Sequence, residues 1–141
     1  MLQNLPLHDQ EADDIVNLVD YDYSGEDAMS DAQTFIDTSR TPWLEIDFLP
    51  GVQVMPMAEP VAQGSIHLAR LSAGTIIPAH THPGDEYVYV LVGTIDTDQT
   101  RCPAGTFWRT PAGMRQGPHV AVSDVQLLTV RLGAMGSFEG V

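Results

Sequence analysis

Lysine is absent from this 141-residue chain, and six arginines are its only strong positive charges. Set against 19 acidic residues, they leave a net charge of −13. Phosphate backbones are gripped by clustered Lys and Arg, so this balance excludes nucleic acid as an expected partner. It equally disfavours docking on an anionic membrane surface. No apolar run is long enough to span a bilayer, and no basic start precedes a hydrophobic segment. The reading expects an unexported, cytoplasmic protein with no membrane partner. Cysteine is reduced to Cys102, which excludes an internal disulfide and fits a reducing compartment. The length suffices for one domain with a real core.

Charge is unevenly placed. Ten of the 19 acidic residues fall within the first 41 positions, where Arg40 is the sole basic residue. We expect a partly ordered acidic N-terminal arm over residues 1–41 and a single compact domain over 42–141. Two pieces of the arm, 11–19 and 30–37, have helical character but are too short to stand alone. Leu5, Leu7, Ile15, Leu18, Val19, Phe35 and Ile36 are its candidate contacts with the compact domain or with a partner subunit. Within it, Asp20-Tyr-Asp22-Tyr-Ser24-Gly25-Glu26, with Asp31 at the twelfth place, resembles the start of an EF-hand loop. Asp27 stands where an apolar residue belongs, and the last ligand is Asp instead of Glu, which argues against calcium.

From Trp43 onward the chain reads as β structure cut by Gly and Pro turns. Strands are expected over 43–48, 52–57, 64–71, 75–82, 86–92, 94–98, 106–110, 119–122 and 125–132. With no convincing helix among them, this spacing indicates an all-β sandwich or barrel. Alternation sets the faces. If Glu86 points inward, so do Val88 and Val90, and Tyr87, Tyr89 and Leu91 point outward. Such an apolar outer face is expected to meet a second sheet or a second subunit. On 64–71, Ile66, Leu68 and Arg70 share one side, and His67, Ala69 and Leu71 the other. Arg70 reads either as a cavity residue, binding an anionic substrate group or orienting a ligand carboxylate, or as a surface arginine near a strand end, whereas His67 reads as structural.

The chemistry concentrates between Gly74 and Gly93. His80 and His82 are two apart, so on an extended strand their imidazoles point to the same side. Pro83-Gly84 is a turn signal, and Glu86 opens the next strand. Two imidazoles and a carboxylate brought together suit Fe, Mn, Zn, Ni or Cu better than Ca or Mg.

Gly74-x5-His80-x-His82-x3-Glu86-x6-Gly93 resembles the first cupin motif at every defined position, and Gly105-x5-Pro111-x-Gly113 resembles the second. The resemblance covers roughly residues 43–133. It implies a double-stranded β-helix, the jelly-roll barrel of that superfamily, and one divalent transition metal held by His80, His82 and Glu86. In the second motif a further histidine normally stands at position 116; this chain has Gln116 there and His119 three residues on. His119 is therefore expected as a fourth ligand or as a residue acting on substrate.

Two branches look most similar. One comprises the acetylacetone-cleaving and dihydroxyacetophenone-type dioxygenases. The other is the cupin domain of ChrR-type anti-sigma factors, which Trp43-Leu-Glu-Ile-Asp-Phe-Leu-Pro-Gly51, His82-Pro-Gly-Asp-Glu86 and Pro103-Ala-Gly105-Thr-Phe-Trp-Arg-Thr-Pro111 resemble at least as well. Those regulators also carry a zinc-binding helical half with His and Cys ligands. Residues 1–41 offer only His8 and no cysteine for that role. The first resemblance implies a metal-dependent dioxygenase cleaving a small dicarbonyl or hydroxyketone, with iron as the enzyme's metal and zinc, nickel or manganese as alternatives. In it Arg70, Gln116 and His119 orient the substrate, and Phe107, Trp108 and Met114 shape an apolar pocket. The second implies a non-catalytic sensing cupin. A homodimer built on the barrel strands is expected in either case.

Overall fold

A computed structural model describes residues 32–140. The stretch that resembles the start of a calcium loop, the helical piece at 11–19 and most of the arm lie outside these residues. Twelve strands and no helix form among the described residues. Residues 32–37 correct the expected helix at 30–37, being irregular throughout. Their end is a turn instead: Asp37 accepts from the Arg40 amide at 3.0 Å through its carbonyl and from the Ser39 amide at 3.0 Å through its carboxylate. An Asp side chain that bonds the backbone two residues on competes with helix.

The strands are β1 (Leu44–Glu45), β2 (Val52–Pro56), β3 (Gly64–Leu71), β4 (Ile76–Ile77), β5 (His80–Thr81), β6 (Glu86–Val92), β7 (Thr94–Thr97), β8 (Thr100–Pro103), β9 (Phe107–Thr110), β10 (His119–Ala121), β11 (Val125–Leu132) and β12 (Ser137–Phe138). The expected strand over 75–82 is broken in two around Pro78, which has no amide to give a ladder. Two strands, β8 and β12, escaped the sequence reading. β8 follows β7 through a tight turn in which Asp98 takes φ 53°, a left-handed conformation that Asp tolerates. β12 has only two residues and no periodicity to detect.

One sheet runs β1-β2-β3-β11-β6-β9, a second β4-β10-β7-β8, and β12 pairs with β5. Every ladder is antiparallel. Between the two larger sheets lies the core, including Val54, Leu71, Val88, Val90, Ile95, Cys102, Val125 and Leu127. A fully buried aliphatic side chain such as Val90 contributes about 1.5–3 kcal/mol. Gly93, at the β6–β7 turn, has φ 81°, and a Cβ there would lie 1.9 Å from the Asp124 carbonyl oxygen. Only glycine fits that crossing.

Alternation on β6 falls as expected: Glu86, Val88 and Val90 are buried, and Tyr89 and Leu91 are exposed. Antiparallel partners share a face, so register carries that face across the sheet. Ser65, Arg131, Glu86 and Thr110 form one inward row, and His67, Thr129, Val88 and Trp108 the next. Outward, Tyr89 and Phe107 remain 42% and 58% exposed, so no second sheet among the described residues covers that face.

Candidate metal centre

β5 carries His80, His82 follows directly on its end and Glu86 opens β6, and the bend at Pro83-Gly84 folds one strand end towards the other. His80, His82 and Glu86 are all buried, and their ligand atoms lie within 4.8 Å of one another. Each imidazole is oriented by a carbonyl. His80 Nδ1 lies 2.8 Å from the Pro78 oxygen, and His82 Nδ1 contacts the Met135 oxygen. A carbonyl only accepts, so the ring proton resides on Nδ1 and Nε2 carries the lone pair on both residues. A carbonyl partner behind a ring is the usual support of a metal-binding histidine.

Whether a cation fits can be tested on the atoms themselves. His82 Nε2 is buried without a hydrogen-bond partner, yet Glu86 Oε2 stands only 3.1 Å away. Two acceptors facing each other at that separation call for a cation or a proton between them. Bonds of about 2.1 Å at a right angle would place neighbouring ligand atoms about 3 Å apart. The residues therefore fit a transition metal, with His80 Nε2, His82 Nε2 and Glu86 as its donors.

Glu86 is held from both sides. Gln116 Nε2 donates to Oε1 at 3.0 Å, and Arg131 Nε donates to Oε2 at 3.0 Å. Thr110 fixes the amide by donating to Gln116 Oε1 at 3.1 Å. Burial pushes the Glu86 carboxyl up, but a proton on His82 facing it, the Arg131 charge and the Gln116 amide outweigh it and hold the group well below the usual carboxylate range. Gln116, at the expected third-histidine position, thus positions the carboxylate of a candidate ligand. Arg131 was missed by sequence reading. Its signal was a charged residue on the inward phase of β11, beyond Val125, Leu127 and Thr129.

His119 stands beside this cluster and outside its group of ligand atoms. Its Nδ1 lies 3.1 Å from Thr97 Oγ1, its ring centroid lies 5.2 Å from that of His80, and Trp108 stacks on it at 5.8 Å. Trp108 Nε1 is a second buried nitrogen without a partner. Arg70 is not brought to the cluster. It shares its face with Gln53 and Gln126, donates to Gln53 Oε1 at 2.6 Å and lies 4.4 Å over the Trp43 ring. There it lines an open groove of about 720 Å³ with Gln53, Ser72, Asp124 and Gln126, none of them a residue of the cluster. Phe107 and Met114 are exposed, 58% and 56%, so of the three expected pocket residues only Trp108 faces inward.

Burial lowers the His119 imidazole to about 4, and His80 is lowered by the same cause. In the unfolded chain a histidine titrates near 6.5, so between these values the unfolded state binds more protons and folding weakens as pH falls. Glu86, depressed when folded, adds its own loss only at more acidic pH. The metal-free protein should lose about 2 kcal/mol of stability through His119 between roughly pH 7 and pH 5. Denaturant titrations of His119→Asn against wild type, in chelator, check this. Identical pH slopes would show that His119 is not the titrating group.

The sequence of residues 31–136 matches the family model described as the ChrR cupin-like domain. No curated protein matches the chain by sequence. Among solved structures it is similar to an RmlC-like cupin from Ralstonia eutropha, at 23% identity over 72% of this chain and 69% of the other, with a TM-score of 0.64. It is also similar to an acetylacetone dioxygenase from Acinetobacter johnsonii, at 12% identity over 85% and 90%, TM-score 0.63. A third likeness is to a chain in the complex of Rhodobacter sphaeroides SigE with the anti-sigma ChrR, at 20% identity over 68% and 51%, TM-score 0.58. At such identities these likenesses concern the fold, and the dioxygenase and the anti-sigma complex share it. The match over residues 31–136 carries the assignment: this chain belongs to the ChrR cupin-like domain family.

Proposed function

We propose that the chain is a metal-dependent dioxygenase that cleaves a small dicarbonyl or hydroxyketone, in a cytoplasmic setting, with a second copy of the chain as partner on the outer barrel face. The observation that carries this reading is the donor set. Two imidazoles and one carboxylate converge while Gln116 and Arg131 are spent on Glu86. Three protein ligands leave coordination positions open, as catalytic centres do and structural ones do not. Iron is the metal proposed for the enzyme, with zinc, nickel or manganese as alternatives; when bound, it supplies Lewis acidity and redox chemistry.

The remaining work belongs to the chain's own side chains. Arg131 and Gln116 keep the Glu86 carboxylate in one orientation. Trp108 Nε1, buried and unpartnered, is a donor for a substrate oxygen. His119, neutral because burial lowers it to about 4, is placed to accept a proton from a bound hydroxyketone. Val88 and Val90 line the inward face of β6 and keep water out.

The test is oxygen consumption. Iron(II)-reconstituted protein should take up O2 with a β-diketone or a hydroxyacetophenone, and the metal-free protein should not. No uptake above that control, with iron content verified, would overturn the dioxygenase. A sensing cupin is the second reading, favoured by the family match and by the burial of every candidate ligand. It would take the lead on that result.

A further inference from the structure

The candidate metal centre is covered by a segment that lies wholly past both motifs. Residues 134–140 cross β5 as β12, with Ser137 opposite Thr81 and Phe138 opposite His80. The Glu139 amide donates to the Ala79 carbonyl at 2.9 Å. Phe138 stacks on His80 at 4.5 Å and 23°, presents its edge to His82 at 6.3 Å and meets Phe48 at 5.8 Å. Met135, 8% exposed, supplies the carbonyl behind His82 Nδ1. At the near end of β12, Gly136 has φ 90°, and a Cβ there would lie 2.1 Å from the Thr81 carbonyl oxygen. Beyond it, Glu139 pairs with Arg115 at 2.6 Å on the surface.

We propose that residues 134–140 are a positioning strap for the metal centre: Met135 and Phe138 seat His82 and His80 so that both Nε2 atoms face Glu86, and the strap must lift for metal to enter or leave. The inference rests on the metal-binding reading above. Its physical basis is that each histidine touches the strap on a side away from its lone pair. His82 is fixed through Nδ1 and His80 across its ring face, so the strap can set ring orientation without spending a ligand atom. With His80, His82 and Glu86 at 5%, 3% and 4% exposure, exchange needs something to move. The strap is tied on by few bonds and one exposed ion pair, which makes it the part least costly to release. Phe138 also lies past residue 136, where the family match stops.

Cobalt(II) is a suitable probe, because its visible absorption reports ligand geometry. Wild type and Phe138→Ala are loaded with Co(II), their spectra compared, and release into excess EDTA followed by stopped flow. Phe138→Ala should release the metal at least about tenfold faster with a changed spectrum, and Phe138→Tyr, which keeps the aromatic stack, should behave as wild type. Gly136→Ala, which cannot seat on Thr81, should resemble Phe138→Ala. Arg115→Ala removes only a surface contact and leaves the core intact, so it carries the test should the others fail to fold; about twofold faster release is expected. Unchanged spectra and release rates in every variant that folds would overturn the strap and leave the metal site standing. Wild type that takes up no Co(II) would overturn the metal-binding reading itself.

Discussion

Replacing Arg131 with methionine is expected to destabilise the metal-free protein by about 3–5 kcal/mol. The two side chains of the Arg131–Glu86 pair are 8% and 6% exposed, so neither can trade its partner for water. Removing the guanidinium strands a buried carboxylate whose remaining donor is the Gln116 amide, and a neutral amide does not balance a full charge. The double variant Arg131→Met with Glu86→Gln should recover most of the loss, because the orphaned charge is gone. Added metal should narrow the gap for Arg131→Met, since a cation at Glu86 would supply the missing counter-charge. Denaturant unfolding in chelator, then with Zn(II), reads all three. A loss below about 1 kcal/mol would mean that the pair is far better solvated than its burial implies.

His80→Ala is expected to take metal content from about one ion per chain to background after gel filtration, by elemental analysis, with the fold intact. Few positions in the barrel should show so large an effect. The donor set has three members, and losing one leaves a single imidazole beside a carboxylate that Arg131 already neutralises. His82→Ala should behave alike. His119→Ala should retain the metal, because His119 lies outside the group of ligand atoms and is engaged with Thr97 through Nδ1. Equal metal content in His80→Ala and wild type, at equal helicity-free CD spectra and equal melting, would remove the centre from this site.

Among the strand readings, those that held to the residue were the long ones. β3, β6 and β11 have the bounds that their alternation indicates, since a strand with one buried face writes its period into the sequence. β12 was not legible as a strand, because a two-residue element is created by its pairing. Arg70 illustrates a subtler gap. Alternation correctly separated Ile66, Leu68 and Arg70 from His67, Ala69 and Leu71, but parity alone does not say which set faces the second sheet. Ala69 and Leu71 turned out to be buried, and Arg70 went to the outer groove.

What the sequence determined by itself was the jelly roll and the candidate metal-ligand set inside it. His80, His82 and Glu86 lie within seven residues, so a strand end, a Pro-Gly turn and the next strand suffice to bring them together. Tertiary structure alone decided how those ligands are held. Arg131 is 45 positions from Glu86, Gln116 is 30 from it, and Met135 is 53 from His82. Such contacts depend on which strands become neighbours and in what register, and local pattern carries no record of either. The same physics explains Gln116, which reads as a substitution for a ligand and instead donates to the candidate ligand Glu86.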